Sequence, residues 1–144
     1  MYFNNCLTKY IEFNAIFFSF TEKLNDYTQM ELDESDIFVT QTYGDSKIRT
    51  LRLTKSNAQI LCGVWENLVT ACSEAKKDKI VDKEFSLGDR IKVTCSSDFP
   101  YINFRRWRKP NYSGDSYPSD HGFNLKEEDF DLFEQNINYF IQLF

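Results

Sequence analysis

Aromatic rings and cations are interleaved over one short stretch of the chain: Phe99, Tyr101, Arg105, Arg106, Trp107, Arg108 and Lys109, with no acid between Phe99 and Pro110. Cations track phosphates and ring faces stack on unpaired bases, so these residue types suit the non-covalent holding of single-stranded nucleic acid. As a strand, Pro100 to Arg108 puts Tyr101, Asn103, Arg105 and Trp107 on one face and Ile102 and Phe104 on the other. Arg106 and Arg108 then point to the opposite side, Phe99 sits at the turn feeding the strand, and Lys109 opens the following loop. A weaker group occurs earlier: Lys47, Arg49, Arg52 and Lys55, with Tyr43 near a hairpin. Lys47 and Arg49 share a strand face and could form a second arm of the same groove. The competing reading of the 99–109 group is a sheet edge where Tyr101 and Trp107 are partly buried and the arginines simply solvated; that of the earlier group is an ordinary charged strand edge that resists aggregation.

Covalent chemistry finds little support. The lone histidine, His121, follows Asp120, and no G-x-S-x-G, P-loop or H-E-x-x-H pattern is present. The cysteines are Cys6, Cys62, Cys72 and Cys95; no two form a C-x-x-C pair, and one histidine cannot complete a zinc set. The expectation is a protein without catalysis, cofactor or metal, with reduced and mostly buried thiols in an intracellular compartment. The start of the chain carries no basic segment followed by a long apolar one, and the longest apolar run is Ala15-Ile16-Phe17-Phe18. No secretory signal and no membrane span are expected.

The net charge is −5, which disfavours a generic polyanion binder, but the charge is unevenly placed. Four acids lie between Glu31 and Asp36 and five between Glu127 and Glu134. The cations of the 99–110 stretch therefore form a local basic strip on an acidic protein.

The elements that must position this strip follow from periodicity. Phe85 to Cys95 has apolar residues at alternate positions and is expected as a strand. Pro100 to Arg108 alternates again, Lys109 to Ser119 is expected as a loop, and His121 to Leu125 as a short strand. Phe130, Phe133, Ile137, Phe140, Ile141 and Phe144 form one helical stripe. Glu127, Glu128 and Asp129 are expected in its first turn, where the helix dipole favours carboxylates. In the first half, Tyr10 to Phe20 and Asp26 to Leu32 are strand candidates. Ile37 to Tyr43 and Lys47 to Thr54 flank a Gly44-Asp45 hairpin signal. A helix is expected from Lys55 to Ala75, capped by Thr54, with a stripe of Leu61, Val64, Trp65, Leu68, Val69 and Cys72.

The two halves align at an offset of 72 residues. Leu61, Trp65, Leu68, Val69 and Cys72 fall on Phe133, Ile137, Phe140, Ile141 and Phe144, Leu51-Arg52-Leu53 falls on Phe123-Asn124-Leu125, and Glu12-Phe13 on Glu84-Phe85. The expectation is an α+β fold of two ββββα units, curved antiparallel sheets with helices packed between them, forming a pseudo-dimer within one chain. The first unit spans residues 1–75, a charged connector 76–83, and the second unit 84–144.

Residues 84–144 resemble the single-stranded-DNA-binding domain of the positive cofactor four family of transcriptional coactivators. The residues that carry the resemblance are Phe85-Ser-Leu-Gly88, Asp98-Phe99, Ile102-Asn-Phe-Arg105 with Trp107 after it, and Pro118-Ser-Asp-His-Gly122-Phe-Asn-Leu125. An amphipathic helix follows them, with Phe130 where the family tends to place a tryptophan. The duplicated layout is similar to that of the Whirly single-stranded-DNA-binding proteins. The resemblance implies four strands curved over a helix, two such units paired through their helices, and Arg105 as the main phosphate contact. It also implies sequence-tolerant binding of single-stranded DNA, including melted duplex, alongside transcription or replication proteins.

From the resemblance and composition together, a nuclear location is expected, in the host nucleus if the source is viral, with further homo-oligomerisation left open. The site residues expected on this reading are Phe99, Tyr101, Arg105, Arg106, Trp107, Arg108 and Lys109, with Lys47, Arg49 and Arg52. Asp120-His121 stands where the family carries a basic pair. That departure supports the alternative, a protein-interaction module that keeps the fold, has lost the nucleic-acid surface and uses its acidic faces.

Overall fold

The structure is a computed structural model that describes residues 19–44, 47–77, 79–110 and 114–143. Four strands open it: β1 (Ser19–Asn25), β2 (Thr28–Asp33), β3 (Asp36–Tyr43) and β4 (Lys47–Thr54). They form an antiparallel sheet in sequence order, followed by helix α1 (Lys55–Lys76). The order then repeats with β5 (Asp82–Gly88), β6 (Ile91–Ser96), β7 (Phe99–Arg108) and β8 (Tyr117–Leu125), again antiparallel in sequence order. A 3-10 turn (Glu127–Asp129) leads into helix α2 (Phe130–Leu143). The fold is α+β, ββββα twice, and the two units make an internal pseudo-dimer. Among the described residues no helix is long and apolar enough to cross a membrane.

Several boundaries differ from those expected. Phe85 to Cys95 is two strands, because Gly88, Asp89 and Arg90 take φ of 89°, 51° and 63° and turn the chain. Alternating apolar residues on either side of so tight a turn look like one strand. The first strand begins at Ser19, and the Tyr10 to Phe20 candidate lies outside the described residues up to position 18. β8 starts at Tyr117, so the expected loop is shorter than 109–119. Glu127 to Asp129 precede α2 as a 3-10 turn, with Asp129 buried and accepting a hydrogen bond from Asn25 Nδ2 at 2.9 Å.

The internal repeat has two offsets. An offset of 72 relates the fourth strands and the helices: Leu51 and Leu53 match Phe123 and Leu125, and Leu61, Trp65 and Leu68 match Phe133, Ile137 and Phe140, all buried. The first three strands match at 63 instead, pairing Leu24 with Leu87, Met30 with Val93, Leu32 with Cys95 and Val39 with Ile102, again all buried. The edge strands even share a register break, between Lys23 and Asn25 in β1 and between Ser86 and Gly88 in β5. The longer β7–β8 connection supplies the difference. Glu12 and Phe13, aligned on Glu84 and Phe85 at 72, lie outside the described residues; the strand order places Thr21 and Glu22 there.

The helices tie the units together. Thr54 caps α1 as expected: its hydroxyl accepts the Asn57 N–H, and Asn57 Oδ1 accepts the Thr54 N–H. Although it follows the first sheet, α1 packs along β5, β6 and β7 of the second. Asn57 marks this at one end, donating through Nδ2 to the Leu87 carbonyl at 2.7 Å and to Asp89 Oδ2 at 3.1 Å. α2 reaches the other way: Phe133 packs on Phe104 and Phe123, while Tyr139 meets Phe20 of β1 edge-on. Neither helix covers only the sheet that precedes it, so the two sheets share one hydrophobic core.

Candidate nucleic-acid interface

β7 presents the central residues. Ile102 and Phe104 point inward and are fully buried, and Phe104 stacks on Phe123 with centroids 4.4 Å apart. Tyr101, Asn103 and Arg105 therefore face out, as the period of two requires. Arg105 lies opposite Lys92 of β6 on one side and Gly122 of β8 on the other. A Cβ at position 122 would collide with the Phe104 carbonyl oxygen and meet Arg105 Cα at 3.1 Å, so glycine lets β8 press close beneath the arginine. Beyond that point β8 bulges, with Ser119, Asp120 and His121 opposing Arg106 alone. Ser119 is buried there and donates to the Arg106 carbonyl at 2.7 Å.

The outer face of the second sheet carries a line of rings and cations. Lys92 Nζ lies 4.4 Å from the centroid of Trp107. Phe99 meets Tyr101 edge-on at 4.8 Å and is 42% exposed. Arg105 lies between these groups, and its Nε is buried with no hydrogen-bond partner. Among the described residues no carboxylate forms an ion pair with it.

The second wall comes from the first unit. Gln41, buried at the seam, donates through Nε2 to Thr28 Oγ1 and to the Asn124 carbonyl, while its Oε1 accepts the Asn124 N–H and the Tyr43 hydroxyl. This holds the β3–β4 hairpin beside β8. A cleft opens there between Tyr27, Tyr43, Tyr101, Asn124 and Lys126. Arg49 lies over the Tyr43 ring at 4.8 Å, and Lys126 over Tyr27 at 5.7 Å. Burial pushes the Tyr43 hydroxyl above its ordinary value, opposed by the charges of Arg49 and Arg105. Arg49 of one unit and Arg105 of the other thus act on one phenol. The Lys126 ammonium is also held above its usual value, chiefly by its bond to Tyr27.

The expected residues divide accordingly. Tyr101, Arg105 and Trp107 share the outer face, Phe99 adjoins Tyr101, and Arg49 joins them through Tyr43. Lys47 is exposed at the start of β4, on the same side as Arg49. Arg108 and Lys109 are exposed at the end of β7. Arg106 turns to the other side and donates to the Arg52 carbonyl at 3.3 Å. Arg52 is held apart: it lies on the opposite face of β4 from Arg49, and its Nε pairs with Asp36 at 2.8 Å. Tyr27, Lys92 and Lys126 were not expected at the site. Alternation in β6 puts Lys92 on the polar face, but only the strand pairing brings it to Trp107.

No group of three or more His, Cys, Asp or Glu side chains among the described residues is placed to hold a metal ion. No family model, curated protein or solved structure matches the chain.

Proposed function

We propose that the protein binds single-stranded DNA, with little regard to sequence and without covalent chemistry, in the service of transcription or replication. The observation that carries the reading is the setting of Arg105, a cation that pairs with no carboxylate among the described residues, between Tyr101 and Trp107 and across the seam from Tyr43 and Arg49. A guanidinium of this kind offers donors to a phosphate, and the rings beside it offer faces to bases. The resemblance of residues 84–144 to the positive cofactor four family supports the choice of ligand. The acidity of the rest of the chain favours binding confined to this strip over general adhesion to polyanions.

Fluorescence anisotropy with a labelled oligo-dT strand at low and moderate salt tests the proposal. Micromolar or tighter binding that weakens steeply with salt is expected. A folded Arg105→Ala/Trp107→Ala double variant that binds as tightly as the parent, or no binding by the parent at low salt, refutes it.

A further inference from the structure

The cleft at the seam carries hydrogen-bonding groups that the fold does not use. Asn103 of β7 and Asn124 of β8 lie opposite each other on the outer face, and Asn103 Nδ2 donates to Asn124 Oδ1 at 2.5 Å. That bond orients both amides and leaves Asn103 Oδ1 as an acceptor beside the two donor hydrogens of Asn124 Nδ2. No described residue bonds either atom, and both side chains are partly exposed. Gln41 is saturated by contrast: its nitrogen serves Thr28 and the Asn124 carbonyl, and its oxygen serves the Asn124 N–H and the Tyr43 hydroxyl. The seam is thus closed through the backbone of Asn124, and its side chain is left over.

Rings surround these groups. Asn124 lines the cleft with Tyr27, Tyr43 and Tyr101, and the space measures about 370 Å³, within the range of natural ligand clefts. Tyr27 is 39% exposed, and Tyr43 and Tyr101 are half-buried, so part of each ring is open. Arg49 and Lys126 stand over Tyr43 and Tyr27, Arg105 follows Asn103 on the same face of β7, and no carboxylate among the described residues lines the cleft.

We propose that this cleft takes one base of the bound strand, turned out of its stack, and that the Asn103–Asn124 amide pair hydrogen-bonds its Watson–Crick edge. Unstacked bases set among aromatic rings are read on that edge in single-stranded recognition. Each of the four bases carries a donor next to an acceptor there, so the amide pair serves all of them and sequence tolerance is kept. In a duplex the same edge is engaged by the complementary base. The cleft therefore recognises that a base is unpaired, which stacking and phosphate contacts alone do not report. The inference rests on the reading of the protein as a binder of single-stranded DNA.

The probe is oligo-dT compared with a strand of the same length in which difluorotoluene replaces every thymine, a ring of thymine's shape without its hydrogen-bonding edge. By fluorescence anisotropy the full chain should bind oligo-dT about tenfold more tightly than the isostere strand. Asn103→Ala/Asn124→Ala should bind the two strands equally, since it removes the amides and keeps the backbone bonds to Gln41. Circular dichroism checks that the variant is folded, and the comparison of strands on the parent needs no variant. The proposal is overturned if the parent binds oligo-dT and the isostere strand equally, or if the folded variant keeps the parent's preference. Either result leaves DNA binding itself intact, whereas a parent that binds neither strand at low salt overturns the DNA reading and this inference with it.

Discussion

Gln41 and Asn124 exchange two hydrogen bonds across the boundary between the sheets, Nε2 to the carbonyl at 3.1 Å and the amide N–H to Oε1 at 3.2 Å. A side-chain amide here does for β8 what a neighbouring strand would do, satisfying its backbone where the ladder stops. Gln41→Ala should therefore cost about 1–3 kcal/mol, because it leaves a buried donor and acceptor unmet. Urea unfolding should show a lower midpoint with an unchanged slope.

Arg105 and Trp107 should fail differently when truncated. Arg105→Ala removes a phosphate contact and should lower the slope of log affinity against log salt by about one. Trp107→Ala removes a stacking face and should cost about 1–3 kcal/mol of binding with little change in that slope. Salt titrations of both variants with oligo-dT provide the comparison. Arg52→Ala, which breaks the pair with Asp36 on the other face of β4, should leave oligo-dT affinity close to that of the parent.

Asn57 joins the start of α1 to the second sheet as well as capping its own helix. Asn57→Ala should destabilise by more than the ~1 kcal/mol of an ordinary capping loss, since the bonds to Leu87 and Asp89 disappear with it. Thr54→Ala, which removes the capping hydroxyl alone, should cost less. Thermal or urea melts of the two variants rank them.

Alkaline pH should loosen the fold. Cys72 is pushed up to about 12 from the usual 9.0, mainly by burial and next by Cys95, and Cys95 itself is raised by burial. A thiol that keeps its proton in the folded chain and loses it in the unfolded one contributes stability below the unfolded value. That contribution is lost as pH rises from about 9 to about 12. Melting temperature should fall over this range, and Cys72→Ala should flatten the fall. At pH 8, Cys62, which is exposed, should react with Ellman's reagent in the folded chain, whereas Cys72 and Cys95 should react only after unfolding.

Much of the fold was legible because it is written in local periodicity. Alternating apolar residues mark β3, β4, β6 and β7, Thr54 marks the start of α1, and the stripes through Leu61 and Phe133 mark both helix faces. The outward row of Tyr101, Asn103 and Arg105 follows from the same alternation. Periodicity says which face of an element is apolar, not which element will cover it. Only the tertiary structure laid α1 on the second sheet, where Asn57 finds Leu87, and brought Arg49 and Arg105 to one tyrosine. It also divided the β5–β6 stretch: Gly88-Asp89 repeats the Gly44-Asp45 hairpin signal, but the apolar alternation runs on across it, and the left-handed backbone at Gly88, Asp89 and Arg90 breaks the strand. Local pattern is set by neighbours a few residues apart, whereas the seam at Gln41 and Asn124 depends on how two sheets share one core.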